Sequence, residues 1–184
     1  MSVMSVKTGS LLGSLFLFGA MRLNQAQSVP ESTAIIKNDR VVENRRISTK
    51  AVKDAFDHAR SIQFENGMDN EFRRQLINII SDYEVAGVEA IRHLVDNRST
   101  DPEVASMALR YLGAIDHPAT YRQRLFVLLH TLKHRLPIVR DGAVLGLDFL
   151  GEPEAINDLA SALNNEHDID VREDMQAVLA QLRG

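Results

Sequence analysis

Ile138-Val139-Arg140-Asp141 opens the stretch that decides the fold of this chain, and Phe149-Leu150-Gly151-Glu152-Pro153-Glu154-Ala155-Ile156 closes it. Between the two ends, apolar and small residues recur at helical spacing. Gly151 and Pro153 then stop one helix and start another. The same pattern returns at Asp170-Val171-Arg172-Glu173 and runs to Ala180-Gln181-Leu182. Val139 and Val171, Arg140 and Arg172, Asp141 and Glu173, and Leu150 and Leu182 stand 32 residues apart. A period of that length means helical hairpins stacked on one another, an all-α solenoid of antiparallel helix pairs.

Working outward, the same signals place the other helices. Ser48 or Thr49 can cap a helix to about Arg60 with Val52, Ala55, Phe56 and Ala59 on one face. Asp69 or Asn70 starts the next, with Phe72, Leu76, Ile79 and Ile80, and Glu84 to Asp96 follows as a separate helix. Asp101-Pro102 is a cap followed by Pro at the first helical position. His117-Pro118 opens a long helix to about Arg135, and Leu136-Pro137 breaks it. Helices over 137–150, 153–164 and 169–182 complete the array. Ala108, Gly142, Ala143, Gly146 and Ala177 sit where bulk would hold helices apart. Short connections make neighbours antiparallel.

The amino-terminal 47 residues read differently. Residues 1–28 hold only Lys7 and Arg22 as charges, a ten-residue apolar run from Leu11 to Ala20, and small residues at Ala26 and Ser28. This suits a secretory signal cleaved after Ser28, giving a periplasmic or secreted protein. An acid-poor transit peptide, or a buried strand or short helix in a cytoplasmic protein, is the other reading. Residues 29–47 are expected to form an irregular arm or a small hairpin, with Thr33-Ala34-Ile35-Ile36 and Arg40-Val41-Val42-Glu43 flanking Lys37-Asn38-Asp39. Residues 48–184 form the helical repeat domain.

Composition narrows the function. The 184 residues carry a net charge of −4, which argues against general nucleic-acid affinity. Cys is absent, so disulfides and thiolate metal sites are excluded. No run reaches the roughly 18 apolar residues of a transmembrane helix. Charge is unevenly spread. From 117 to 135 there are four bases, Arg122, Arg124, Lys133 and Arg135, and no acid; from 148 to 174 there are nine acids against Arg172. Such polarity steers encounter and orientation.

Val139-Arg140-Asp141-Gly142-Ala143, Leu147, Leu150-Gly151-Glu152-Pro153-Glu154-Ala155-Ile156, Leu159 and Leu163 resemble the short HEAT-like repeat of the phycobilin-lyase type. Val171-Arg172-Glu173 repeats its opening, and Leu112-Gly113 with Pro118 is a looser copy. The resemblance implies a right-handed superhelix of helix pairs that hosts protein–protein contacts. It leaves open an accessory or chaperone-like subunit of an enzyme such as a phycobilin lyase. Deoxyhypusine hydroxylase shares such repeats, but its iron-binding His-Glu dyads are replaced here by Asp141-Gly142 and Glu173-Asp174. The resemblance also implies that the second helix of each pair lines the concave side. Arg110, Tyr111, Asp141, Val144, Asp148, Glu173 and Gln176 are then the candidate partner-binding residues, with Arg110 and Tyr111 foremost. Arg122, Arg124 and Lys133 mark a basic helix face. Arg140 and Arg172 are expected to brace the acid of an adjacent turn.

No catalytic set stands out, and no cofactor is expected. His130 and His134 share a helix face, but two ligands fall short of a metal site, and Thr131 stands where a metalloprotease has Glu. The acidic run from Asn164 to Asp170 lacks the Gly and closing Glu of an EF-hand and reads as helix capping by Asp168 or Asp170. The expected function is a non-enzymatic scaffold that binds a protein or peptide.

Overall fold

A computed structural model describes residues 31–62 and 70–184, with side chains from Arg40 onward. Residues 1–28, read above as a targeting segment, lie outside the described residues. Seven α-helices follow one another: α1 (Glu31–Ala59), α2 (Glu71–Val95), α3 (Pro102–Ala114), α4 (Tyr121–Thr131), α5 (Pro137–Leu150), α6 (Ile156–Asn165) and α7 (Ile169–Arg183). Single 3-10 turns at Pro118–Thr120 and Pro153–Ala155 lead into α4 and α6. No strand occurs among the described residues.

The expected arm or hairpin before residue 48 is therefore corrected: residues 31–47 belong to α1. No Gly or Pro interrupts residues 31–59, so nothing forces a turn at Asn38-Asp39. Ion pairs at helical spacing support the helix, Glu43–Arg46 at 2.8 Å, Lys50–Asp54 at 2.6 Å and Lys53–Asp57 at 2.7 Å. Ser48 and Thr49 lie inside it rather than at its start, and both hydroxyls donate to the Arg45 carbonyl.

α2 is helical on both sides of a break at Glu84, whose φ of 47° and ψ of −120° belong to the first central position of a type II′ turn. A Cβ on Gly87 would stand 2.9 Å from the Ile79 carbonyl oxygen, although eight residues of straight helix span about 12 Å. The chain reverses at Glu84, which agrees with the separate helix expected over 84–96. The long helix expected from His117 is shorter than its sequence suggested. It begins with the 3-10 turn Pro118–Thr120 and ends at Thr131, and Pro137 with Leu136 before it bars any continuation into α5.

Caps fix the remaining boundaries. Asn70 accepts from the Arg73 amide at 2.9 Å, Asp101 from Glu103 and Val104 at 2.9 and 3.3 Å, and Asp168 from Val171 at 3.3 Å. Gly151 takes the left-handed conformation (φ 64°) that ends α5.

The helices stack in two layers. α3 packs chiefly on α5, and α5 on α7, making one layer; the second half of α2, α4 and α6 each pair with the following helix and make the other. At the α3–α5 seam the backbones touch. A Cβ on Gly113 would land on the Gly146 carbonyl, and one on Gly146 would stand 2.6 Å from the Leu109 carbonyl oxygen. Ala108 and Ala143 are buried as the sequence suggested, whereas Ala177 is exposed. One continuous core threads the stack, from Phe56 and Phe72, in edge-to-face contact at 5.4 Å, through Leu112 and Leu128 to Leu159 and Met175. Each hairpin is dry only because its neighbours cover it.

Candidate protein-binding surfaces

The layer formed by α3, α5 and α7 presents one solvent-facing stripe per helix, half-buried on α3 and mostly exposed on α7. On α3 it holds Met107, Arg110 and Ala114; on α5 Ile138, Asp141, Leu145, Asp148 and Phe149; on α7 Asp170, Glu173, Asp174, Ala177 and Gln181. Of the residues singled out in the sequence, Arg110, Asp141 and Asp148 are half-buried here, and Glu173 and Gln176 are exposed.

Two of them are not surface. Tyr111 is buried, its ring edge-to-face with Phe72 at 6.1 Å and its hydroxyl accepting from the Asn70 amide nitrogen at 2.6 Å. It lies about 100° round the helix from Arg110, which turns it toward α2. Val144 is wholly buried in the core. An inner helix has neighbours on three sides, so only a narrow stripe stays wet, and Tyr111 and Val144 fall outside it.

Arg110 and Asp141 are joined across the stripe, Nη2 to Oδ2 at 2.8 Å. Burial pushes the Asp141 carboxyl up to about 6; the neighbouring Asp174 carboxylate adds to this and Arg110 opposes it. Asp141 Oδ1, Asp148 Oδ1 and Arg110 Nε are buried with no hydrogen-bond partner among the described residues. Unpaired buried polar atoms cost stability, so these groups strain the fold beneath the stripe.

The basic helix face dissolves on inspection. Arg124 is buried, and its Nη1 donates to the Leu112 carbonyl at 2.9 Å and the Gly113 carbonyl at 3.4 Å, at the end of α3. A cation suits the carbonyl end of a helix, and burial lowers its pKa. Arg122 is exposed and paired to Glu154, 32 residues on, at 2.7 Å. Of these three, Lys133 is the one exposed without an ion pair to a described residue. The expected basic face is thus one inter-hairpin tether, one surface pair and one lysine.

Arg140 and Arg172 brace turns in related ways. Arg140 donates from Nε and Nη2 to the two Glu166 oxygens, both at 2.6 Å, and from Nη1 to the His134 carbonyl at 2.8 Å. Arg172 grips carbonyls instead of an acid, those of Leu163 and Glu166 at 3.0 and 2.9 Å. Arg172 reaches back from α7 to the end of α6 and Arg140 from α5 to the turn after α4, while the Arg140 grip on Glu166 ties α5 to the end of α6 in the next hairpin. Glu166 also accepts from the His167 and Asp168 amides, both at 2.9 Å. The Arg140 hydrogen bonds, aided by these two, outweigh burial and hold its carboxyl down to about 2. The acidic run from Asn164 to Asp170 is therefore spent on a buried pair and a cap.

Sequence reasoning missed a groove of about 700 Å³ between α4 and α6. Leu129, Leu132 and Ala162 contribute its apolar lining, Phe126 stacks on His130 at 6.0 Å, and His134, His167, Lys133 and Asp158 stand around it. His134 Nδ1 accepts from the Leu136 amide at 3.3 Å, and desolvation lowers its pKa. His130 Nε2 lies 4.0 Å from Asp96. Among the described residues no group of three or more His, Asp or Glu is placed to hold a metal. No spacing in the sequence signals this groove, because it arises from how far apart two outer helices stand.

No described helix is long and apolar enough to cross a membrane. The profile of a family described as HEAT repeats matches residues 90–180, from the second half of α2 into α7. No curated protein and no solved structure matches the chain. HEAT repeats generally serve as scaffolds for protein interaction. The matched segment coincides with the stacked hairpins and their 32-residue period, and the chain is a HEAT-like repeat protein.

Proposed function

We propose that the chain is a non-enzymatic scaffold that holds a protein or peptide partner on the layer formed by α3, α5 and α7. The observation that carries this reading is the stripe on those helices, where the exposed apolar side chains of Ile138 and Phe149 share a layer with the exposed acids Asp170 and Glu173. A stack of hairpins offers such a surface without further machinery, because each repeat adds one helix to it. Arg110 and Asp141 orient one another across the stripe and give a partner a fixed pattern of charge to read.

Glu173→Ala with Gln176→Ala tests this, because both residues are exposed and their loss leaves the core alone. Partners captured by the wild-type chain and identified by mass should be lost or weakened with the double variant, while far-ultraviolet circular dichroism stays unchanged. Equal capture by both proteins, with Arg110→Glu also without effect, removes the inner layer as the binding surface.

A further inference from the structure

Part of α1 is uncovered. Among its described side chains, packing on the body begins at Ser48, which is buried and donates its hydroxyl to the Ala86 carbonyl at 3.3 Å. The eight residues before it, from Arg40 to Ile47, are all exposed. They include three β-branched side chains open to solvent, Val41 at 52%, Val42 at 65% and Ile47 at 38%. They also carry Arg40, Arg45 and Arg46 against a single acid, Glu43, already paired to Arg46. Apolar side chains in water and three cations facing one acid make this stretch complementary to a surface that is both apolar and acidic.

The inner layer is such a surface. Ile138 and Phe149 are 40% and 63% exposed, at helical spacing on one stripe of α5. Asp141 and Asp148 share their helix, the α7 acids Asp170, Glu173 and Asp174 stand at repeat positions equivalent to the Ile138 end, and the one base on the stripes, Arg110, is held by Asp141. The overhang cannot reach this surface in its own molecule. α1 is unbroken, it packs on α2, and α5 lies two hairpins further along.

We propose that a second copy of the chain supplies the overhang: the basic, valine-bearing stretch Arg40–Ile47 of α1 in one molecule lies on the acidic, Phe149-bearing inner layer of another. The inference rests on the inner-layer reading above and names its occupant. The contact joins two different patches, so mutual exchange closes a pair and one-way exchange extends a chain. Opposite charge gives the contact its orientation and makes it sensitive to salt.

Sedimentation velocity of the full chain over a concentration series tests it. In low salt the mean mass should rise above the monomer with concentration, and at about 0.5 M NaCl it should fall back, because screening is then nearly complete within a few ångströms. Arg45→Glu with Arg46→Glu, and separately Asp170→Lys with Glu173→Lys, should each give monomers, since all four side chains are exposed and none supports the core. Mixing the two variants should restore assembly, now between unlike copies. A wild type that stays monomeric at every concentration overturns the proposal, as does association that both variants leave intact or a mixture that stays monomeric. Binding of the overhang to anionic vesicles in place of self-association overturns it too. If the chain is monomeric yet Glu173→Ala with Gln176→Ala still abolishes capture of another protein, only the occupant is wrong. If neither effect is seen, the inner-layer reading falls as well.

Discussion

Replacing Glu166 by Gln should weaken the fold most near neutral pH and least in acid. In the folded chain this carboxylate is 3% exposed, takes two hydrogen bonds at 2.6 Å from Arg140, and accepts the His167 and Asp168 amides. Its pKa is accordingly held at about 2 against an ordinary 4.5. A folded pKa below the unfolded one means that ionisation favours folding. The stabilisation is complete above the unfolded value and drains away as pH falls toward the folded one. At 1.36 kcal/mol per pH unit, the difference amounts to about 3 kcal/mol at pH 7, of which roughly half survives at pH 3. Loss of one partner from a buried pair costs about 3–5 kcal/mol, because the other charge is left without compensation. Urea unfolding of wild type and Glu166→Gln at pH 7, 5, 4 and 3 measures the gap directly. It should be about 3 kcal/mol at pH 7 and close markedly by pH 3, with Arg140→Met restoring part of the loss in the double variant. A gap that stays constant across that range, or one below about 1 kcal/mol at pH 7, refutes the assignment of the turn's stability to this pair.

Three further outcomes follow from other sites. Asp141 has the opposite sign: its folded pKa of about 6 lies above the ordinary 3.8, so its ionisation costs stability as pH rises through that interval. Asp141→Asn should gain about 1–3 kcal/mol on wild type between pH 4 and 7, read from the same urea series. Glu84→Gly should raise stability by about 1 kcal/mol and the melting temperature by a few degrees, since φ 47° with ψ −120° suits Gly and strains Glu. Gly113→Ala should cost at least about 3 kcal/mol, because its Cβ would meet the Gly146 backbone, which cannot move aside as a side chain can; chemical denaturation at pH 7 reads the loss.

The repeat body was legible because its signals are local and redundant. Asp101 before Pro102, Gly151 before Pro153, and the Val-Arg-acid openings at 139 and 171 each mark a helix boundary by chemistry within a few residues. The overhang of α1 was not legible. Val41, Val42 and Ile47 have strand propensity, and only the absence of a breaker before Ala59 hinted that the helix runs on. Assignment of surface failed for the same reason at Tyr111, Val144 and Arg124. Helical spacing says which residues share a face, but how many faces are covered depends on neighbours distant in sequence. Arg124 did leave a trace, as a lone cation among Leu125, Val127 and Leu128, and such a residue must find carbonyls to hold. Asp141, Asp148 and Glu173 fall outside the core as their charge and helical spacing require.

The glycine seam between α3 and α5 has a mechanical corollary. Where two main chains rest on each other there are no compressible side chains between them, so that joint resists any change of angle. Across the stack, α4 and α6 stand apart around open space. That gap is tied as well, because Arg140 on α5 holds Glu166 at the end of α6 beside it. A rigid inner joint and a clasp between neighbouring hairpins together hold the stack to one curvature.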